Sequence, residues 1–458
     1  MPWPFTLAEP LHSLWTALGG DVAKTPQVRY RTIGNLPSRF AVSDLAAASV
    51  AVAGLSLVDC LVAGGHPAVD VTVDRRLASM WFASSYQADG WTPPSPWDPI
   101  AGDYATEDGW IRLHTNAPHH RDAALAVLKV SPDRTTVAKA VRRWSAEELE
   151  VAVVAAGGCA AAMRSLSGWD SHPQGMAVAA EPLIGHEKGS PSPYPEPPLP
   201  ANRPLTGIRV LDLTRVLAGP VATRFLAGFG ANVLRLDPPF WDEPALLPDI
   251  TLGKRCARVD LRAAEDRTRF QALLGQADIL VHGYRPDALD GLGFGRAWRQ
   301  AVRPGLIDVC PDAYGWTGPW AGRRGFDSLV QMSSGIAQAG MVAAGSDRPR
   351  PLPVQALDHA TGYLLAAAAL RGLAQRRRTG HGSVWRTSLA RIGCLLTNLA
   401  QPADIVPFAP PVAADFLPSS EMTAWGPLRR LRPPVTITGI PMRWDHPATP
   451  LGTDPAQW

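Results

Sequence analysis

Four short apolar runs spaced along residues 208–310 restrict this chain more than any other feature. They are Ile208-Arg-Val-Leu-Asp-Leu-Thr214, Ala231-Asn-Val-Leu-Arg-Leu-Asp237, Asp278-Ile-Leu-Val-His-Gly283 and Gly305-Leu-Ile-Asp-Val-Cys310. A Gly219-Pro220 break and a helix-like 221–228 separate the first two, and a helical stretch over 263–277 precedes the third. Near-continuous apolar strands require cover on both faces, and parallel neighbours require a crossover helix. The alternation therefore predicts a doubly wound, mostly parallel, Rossmann-like α/β sheet. Two longer helices are expected to follow, one from about Ser328 and one from Asp358 to about Arg378, the latter stopped at Thr379-Gly380.

A composition break lies at residues 189–204, where seven of sixteen residues are proline. Such a stretch continues neither a helix nor a central strand and reads as a semi-rigid linker. Upstream of it the pattern changes. An Ala/Val/Leu-rich helix is expected over 42–62, a strand over 69–73, and another strand over 108–114. Three helices fill 119–158, the last opened by a Ser145-Ala-Glu-Glu148 cap. This predicts a smaller α+β domain joined to the sheet domain by long helices. The chain divides into a segment 1–188, the linker 189–204, a catalytic sheet domain 205–400, and a Pro-rich tail 401–458 that returns to the large domain. One internal similarity stands out. Leu36-Pro-Ser-Arg-Phe-Ala-Val-Ser-Asp44 and Leu352-Pro-Val-Gln-Ala-Leu-Asp358 each precede an Ala-rich helix, a glycine break and a strand. That is either chance likeness of Ala-rich helices or a partial duplication.

Composition excludes several function classes. A net charge of +3 is too small for a binder driven by phosphate neutralisation, so no nucleic-acid partner is expected. Cys60, Cys159, Cys256, Cys310 and Cys394 are scattered without C-x-x-C spacing, and no His pair is spaced for zinc, so no metal is expected. Residues 1–7 show no secretory pattern. The apolar stretch 41–65 is interrupted by Asp44 and Asp59 and does not read as a membrane span. A cytoplasmic protein without a membrane partner is the expectation.

A βαβ start invites a dinucleotide reading, which needs closely spaced glycines at the first strand-to-helix turn. Here Arg215-Val-Leu-Ala-Gly-Pro220 supplies one glycine; Gly228 and Gly230 fall at the far end of the helix. Asp237 ends the second strand as a ribose-binding acid would, but without the turn that match is weak. Asp358 opens a long apolar helix. It reads either as a helix cap or as a nucleophile beside backbone N–H groups able to stabilise charge on an acyl oxygen.

A series of motifs adds to this. Pro204-Leu-Thr-Gly-Ile-Arg-Val-Leu-Asp-Leu-Thr-Arg-Val-Leu-Ala-Gly-Pro220 resembles the opening of the class III (CaiB/BaiF) CoA-transferases. Gly253-Lys-Arg255, His282-Gly-Tyr-Arg-Pro286, Ala313-Tyr-Gly-Trp-Thr-Gly-Pro319, Gly325-Phe-Asp-Ser-Leu-Val-Gln331 and the 351–362 block resemble later family blocks in the same order. The segments 108–113 and 145–158 resemble the family's small domain, and 435–444 its closing strand region. Their order in this chain is permuted, which suggests that the two halves together supply the equivalent of one family subunit.

The resemblance implies an acyl-CoA:carboxylate CoA-transferase working through an aspartyl-CoA thioester, with Asp358 as the catalytic aspartate. Acyl-CoA and a carboxylic acid would be its substrates, with no tightly bound cofactor. By family position Lys254, Arg255 and Arg324 fit CoA phosphates, and Tyr284 with Arg285 fits the nucleotide. The loop of Arg215, Val216, Leu217 and Ala218 is expected near the thioester. Asp44 occupies the equivalent place in the N-terminal half and reads as a structural remnant. Trp91, Trp97 and Trp110 would line an acyl pocket or pack a core. Interlocked homodimers are the family habit, although a permuted chain could satisfy that contact internally. Two alternatives stand beside the transferase: a 2-methylacyl-CoA racemase, disfavoured because Phe326 stands where such enzymes carry histidine, and a non-catalytic CoA-binding subunit.

Overall fold

Six parallel strands form the centre of the larger domain in a computed structural model that describes residues 8–285, 288–400 and 406–458. Expectations placed on residues 1–7, Pro286 and Pro402 lie outside those residues. Across the sheet the strands run Lys254–Arg258, Asn232–Asp237, Arg209–Leu213, Ile279–His282, Ile307–Asp312 and His381–Ser388. Counted along the chain, this order is third, second, first, fourth, fifth, sixth. The winding direction reverses between the first strand and the fourth, which leaves a crevice beyond their carboxyl ends.

Side chains alternate across each strand, so Val210 and Ile279 pack into one apolar core and Leu211 and Leu280 into another. The helices Ala218–Gly228 and Ala356–Thr379 cover the first face, and Ala264–Leu274 and Arg296–Val302 the second. The sheet is thus doubly wound, as the alternation of runs predicts. Two of its members were not expected. Lys254–Arg258 carries three basic residues yet pairs in register with Asn232–Asp237 at one edge. At the other edge Gly185–Pro191 adds antiparallel to His381–Ser388, so the first residues of the expected linker belong to the sheet. Pro191 is tolerated there because an edge strand can lack a ladder donor.

The helix expected from about Ser328 is two helices, Asp327–Ser333 and Ile336–Ala343, broken at Gly335. Gly335 has φ +81°, and a Cβ there would stand 2.3 Å from the backbone nitrogen of Leu166. Only glycine allows that approach. The smaller domain is as expected: an antiparallel sheet of Gly102–Ala105, Trp110–Leu113 and Ala160–Ala162 covered by Pro118–Leu128, Arg134–Val141 and Ala146–Ala155. Ser145 Oγ caps the last helix by accepting the Glu148 N–H at 3.3 Å.

The helices Val42–Ala63 and Ala356–Thr379 pack along each other as the central helix pair of the molecule. Their runs of alanine, 0–1% exposed, let the two backbones approach closely. Polar contacts fix their register: Asp59 accepts from Arg371, from Arg378 Nη1 at 3.0 Å and from Lys24 Nζ at 3.2 Å. By length and composition Val42–Ala63 could cross a membrane, contrary to the expectation drawn from Asp44 and Asp59. Its most apolar window is 94% buried inside the protein, where Asp44 meets Arg75 and Asp59 meets two arginines.

Each long helix is followed by a strand, Val71–Asp74 and His381–Ser388, in keeping with the internal similarity. Val71–Asp74, however, lies in a separate three-stranded sheet between Val28–Arg31 and Val435–Ile437. The tail therefore pairs first with the N-terminal half. From residue 443 onward it returns to the large domain: Arg443 N–H donates to Gly228 O at 2.9 Å, Cys256 N–H donates to Asp454 Oδ2 at 2.9 Å and Trp458 Nε1 donates to Leu273 O at 2.9 Å.

Candidate active site

Asp358 sits in the first turn of Ala356–Thr379, and the Gln355 side chain does not cap that helix. The cap comes instead from Asp327, the first residue of a neighbouring helix. Its Oδ2 accepts the backbone N–H groups of Leu357 at 2.8 Å and Asp358 at 3.0 Å. Gln331 donates to the other oxygen of Asp327 and accepts the Leu352 N–H at 2.7 Å, which ties the 352–358 loop to the same helix. A carboxylate at a helix N-terminus is favoured by the free amides and the macrodipole. The two amides that the sequence suggested for an acyl oxygen are therefore already satisfied by Asp327.

The two carboxyls are 1% and 7% exposed. Burial pushes Asp327 up to about 6, against the hydrogen bonds that favour its charge. Burial, with the charge of Asp327 adding to it, holds Asp358 well above the usual carboxylate range. Two buried carboxyls this close titrate as a pair.

Two cavities meet at Asp358 and share Val216 and Phe326 with it. The first, about 340 Å³, lies at the reversal point of the sheet. Leu213, Thr214, Arg215, Gly283 and Tyr284 reach it from the ends of the first and fourth strands. Arg285, Arg323 and Arg324 add to its cationic wall. Arg215 stacks over Trp241 at 4.5 Å and over Tyr284 at 5.0 Å. Arg215 Nε, Asp312 Oδ2 and both ring nitrogens of His120 are buried at this cavity without hydrogen-bond partners. Burial raises Asp312 well above its ordinary range and lowers His120 to about 4. Orphaned groups of this kind call for a polar ligand.

The second cavity, about 410 Å³, is walled from both halves of the chain, with Phe82, Tyr86, Trp97 and His114 among the residues from the N-terminal one. His114 stacks face to face on Phe326 at 3.7 Å. Val216, between the two cavities, has φ +63°, a costly conformation for a β-branched residue. Its N–H donates to Glu243 Oε2 at 2.9 Å, which helps to hold it there. Leu217 lines the second cavity and Ala218 the first.

Asp358, Arg215, Val216, Leu217, Ala218, Tyr284, Arg285 and Arg324 are thus brought together as the sequence suggested. Lys254 and Arg255 are not. Lys254 is fully buried, with Nζ donating to Asp212 Oδ2 at 2.9 Å and to Pro220 O at 3.1 Å. It supports the loop from within the core and cannot reach a ligand. Arg255 lies on the edge strand and donates to Asn232 Oδ1 at 3.3 Å, lining neither cavity. Asp237, the weak ribose candidate, is enclosed by Arg235, whose Nε donates to it at 2.7 Å. Asp44 accepts from Arg75 Nε at 2.9 Å, a buried pair that fits its structural reading.

Of the three tryptophans, Trp97 alone lines the second cavity. Trp91 donates to Pro427 O at 2.7 Å, and Trp110 packs against a core containing Leu329 and Met332. Sequence reasoning missed Asp327 as the cap and Arg323, His114, His120 and Trp241 as lining residues. The His119-His120 pair was the one local signal for them. Among the described residues no group of three or more His, Cys, Asp or Glu could hold a metal ion.

A cationic crevice at the reversal point of a doubly wound sheet, with a buried carboxyl at its inner end, lies where open α/β sheets bind ligands. Residues 205–405 match the model of CoA-transferase family III. The acetyl-coenzyme A transferase nodX of Hypoxylon pulicicidum is 35% identical over 193 residues, covering 41% of this chain and 32% of that protein. The succinyl-CoA–D-citramalate CoA-transferase of Chloroflexus aurantiacus is 31% identical over 196 residues, 40% of this chain and 48% of that protein. A crystal structure of a CaiB/BaiF family protein from Brucella suis aligns at 25% identity with a TM-score of 0.38, over 49% of this chain and 65% of that one. The chain spans a third to about half the length of the curated relatives just named.

Proposed function

We propose that this protein transfers coenzyme A from an acyl-CoA to a carboxylic acid, with Asp358 as the nucleophile. The observation that carries the reading is the place of Asp358, where a cationic cavity and an apolar cavity meet. A thioester joins those two chemistries: a polyanionic carrier on its sulfur side and an acyl chain on the other. Arg215, Arg285 and Arg324 supply charge for phosphates, and the faces of Trp241 and Tyr284 supply surface for the nucleotide. The CoA-transferase names of the relatives agree with this reading.

In the first step the ionised Asp358 carboxylate attacks the thioester carbonyl, forming a mixed anhydride and releasing CoA thiolate. The thiolate attacks the aspartyl carbonyl of the anhydride, releasing the donor carboxylate and leaving an aspartyl-CoA thioester. The acceptor carboxylate attacks that thioester, giving a second anhydride and thiolate. The thiolate then takes the new acyl group and restores Asp358. The activated bond is kept at every stage, provided that water stays out; the burial of Asp358 supports that. The helix Ala218–Gly228 has no side-chain cap, and its first residues line the first cavity. We assign its free amides to the oxygen on which charge develops, in place of those that Asp327 occupies.

Both halves of the chain contribute lining residues, which supports the reading that together they supply the equivalent of one family subunit. We place the reaction in the cytoplasm. The test is to incubate the protein with an acyl-CoA and hydroxylamine. Asp358 should be recovered as the hydroxamate in wild type, and Asp358→Asn should give no adduct while still binding CoA. An unmodified Asp358 in wild type would sink the proposal.

A further inference from the structure

The second cavity carries an inference about the acyl group, resting on the transferase reading above. Among its described lining residues there is no lysine or arginine. Two carboxylates at its wall are already engaged: Asp249 with Arg224 and Ser85, and Asp327 with the amides of Leu357 and Asp358. Its two imidazoles, His114 and His359, are pushed down to about 3 by burial and stay neutral at pH 7. Its remaining polar members, such as Asn116 and Gln355, are uncharged.

What the wall offers instead is aromatic and stiff. Phe82, Tyr86, Trp97 and Phe326 present rings, and Pro93, Pro94 and Pro96 form one side. Trp97 is 36% exposed, braced by Arg112 over its ring at 4.9 Å and by the edge of His114 at 6.0 Å. An apolar ring held in place and left uncovered is a surface for a ligand to bury.

We infer that the acyl pocket selects bulky apolar monocarboxylic acyl groups, arylalkanoyl groups above all, and rejects dicarboxylic ones. A second carboxylate on the substrate would enter a wall without a counter-charge and face Asp249 and Asp327. Burying an unpaired carboxylate is far costlier than losing a few apolar contacts.

The experiment compares phenylacetyl-CoA with succinyl-CoA as donors to the full-length protein, reading hydroxylamine trapping at Asp358 and kcat/KM for CoA release. Phenylacetyl-CoA should be preferred by roughly 100-fold or more. Trp97→Ala, at a partly exposed position, should lower that preference about tenfold with unchanged affinity for free CoA. Leu246→Arg, placing a cation in the wall, should raise succinyl-CoA turnover and lower that of phenylacetyl-CoA. Equal or better use of succinyl-CoA by wild type overturns this inference and leaves the transferase intact. No trapping from either donor overturns both.

Discussion

Replacing Asp327 by asparagine separates the charge of the helix cap from its shape. In wild type the Asp327 carboxyl rises from an ordinary 3.8 to about 6 on folding. A raised carboxyl favours the folded state most where it is protonated. Its contribution is complete below 3.8 and is lost as pH climbs to about 6. At ~1.36 kcal/mol per pH unit that loss is about 3 kcal/mol. Asparagine does not titrate, so the variant lacks this loss whatever its fixed cost in hydrogen bonding. Between pH 3.5 and pH 7 the stability of the variant relative to wild type should therefore improve by about 3 kcal/mol. For a cooperative unit of 458 residues this is about 3 °C in Tm, because the unfolding entropy is roughly 2.1 cal/mol/K per residue. Calorimetric melts of both proteins across that range measure it. The same variant removes a charge that holds Asp358 up, so the acid limb of its hydroxamate-trapping profile should move to lower pH. Parallel stability curves for variant and wild type would refute the account of the carboxyl pair.

Other substitutions probe the frame around the site. Lys254→Ala leaves Asp212 charged and unpaired in the core and should cost about 3–5 kcal/mol in denaturant unfolding, a stability phenotype rather than a ligand one. Asp59→Asn should destabilise by a similar amount, about 3–5 kcal/mol, at pH 7. Although burial opposes it, the bonds from Arg378, Arg371 and Lys24 lower the Asp59 carboxyl, so its contribution is present above the ordinary value. It is lost as pH falls, so the gap between variant and wild type should narrow in acid melts. Gly362→Ala would put a Cβ 2.5 Å from Ala218 O, forcing Ala356–Thr379 away from Ala218–Gly228. About 1–3 kcal/mol of stability should be lost, together with trapping efficiency at Asp358.

The sheet was legible where its strands were apolar runs of four to six residues, and the long helices where Ala- and Leu-rich stretches ended at a glycine stop. Lys254–Arg258 and Gly185–Pro191 were not, because their residues suit a strand only when neighbours supply the ladder and, for Lys254, a buried counter-charge. Asp358 was legible from its motif and helix position. Its partner Asp327 lies 31 residues away, and nothing local marks a side chain as the cap of another helix. Lys254 was misplaced for a related reason: a basic residue in a motif reads the same whether it faces a phosphate or Asp212. The wall of the second cavity depends on how residues 82–116 dock against the sheet domain, which no local pattern encodes.

The central helix pair has one further consequence. Where two chains must meet to enclose a site, dilution removes half of its wall. Here Val42–Ala63 is tethered to Ala356–Thr379 by the same backbone, so its local concentration is set by the length of the connection, not by the amount of protein. Under the proposed function, turnover per chain is expected to stay constant as the protein is diluted; a fall on dilution would show that a second copy contributes to the site.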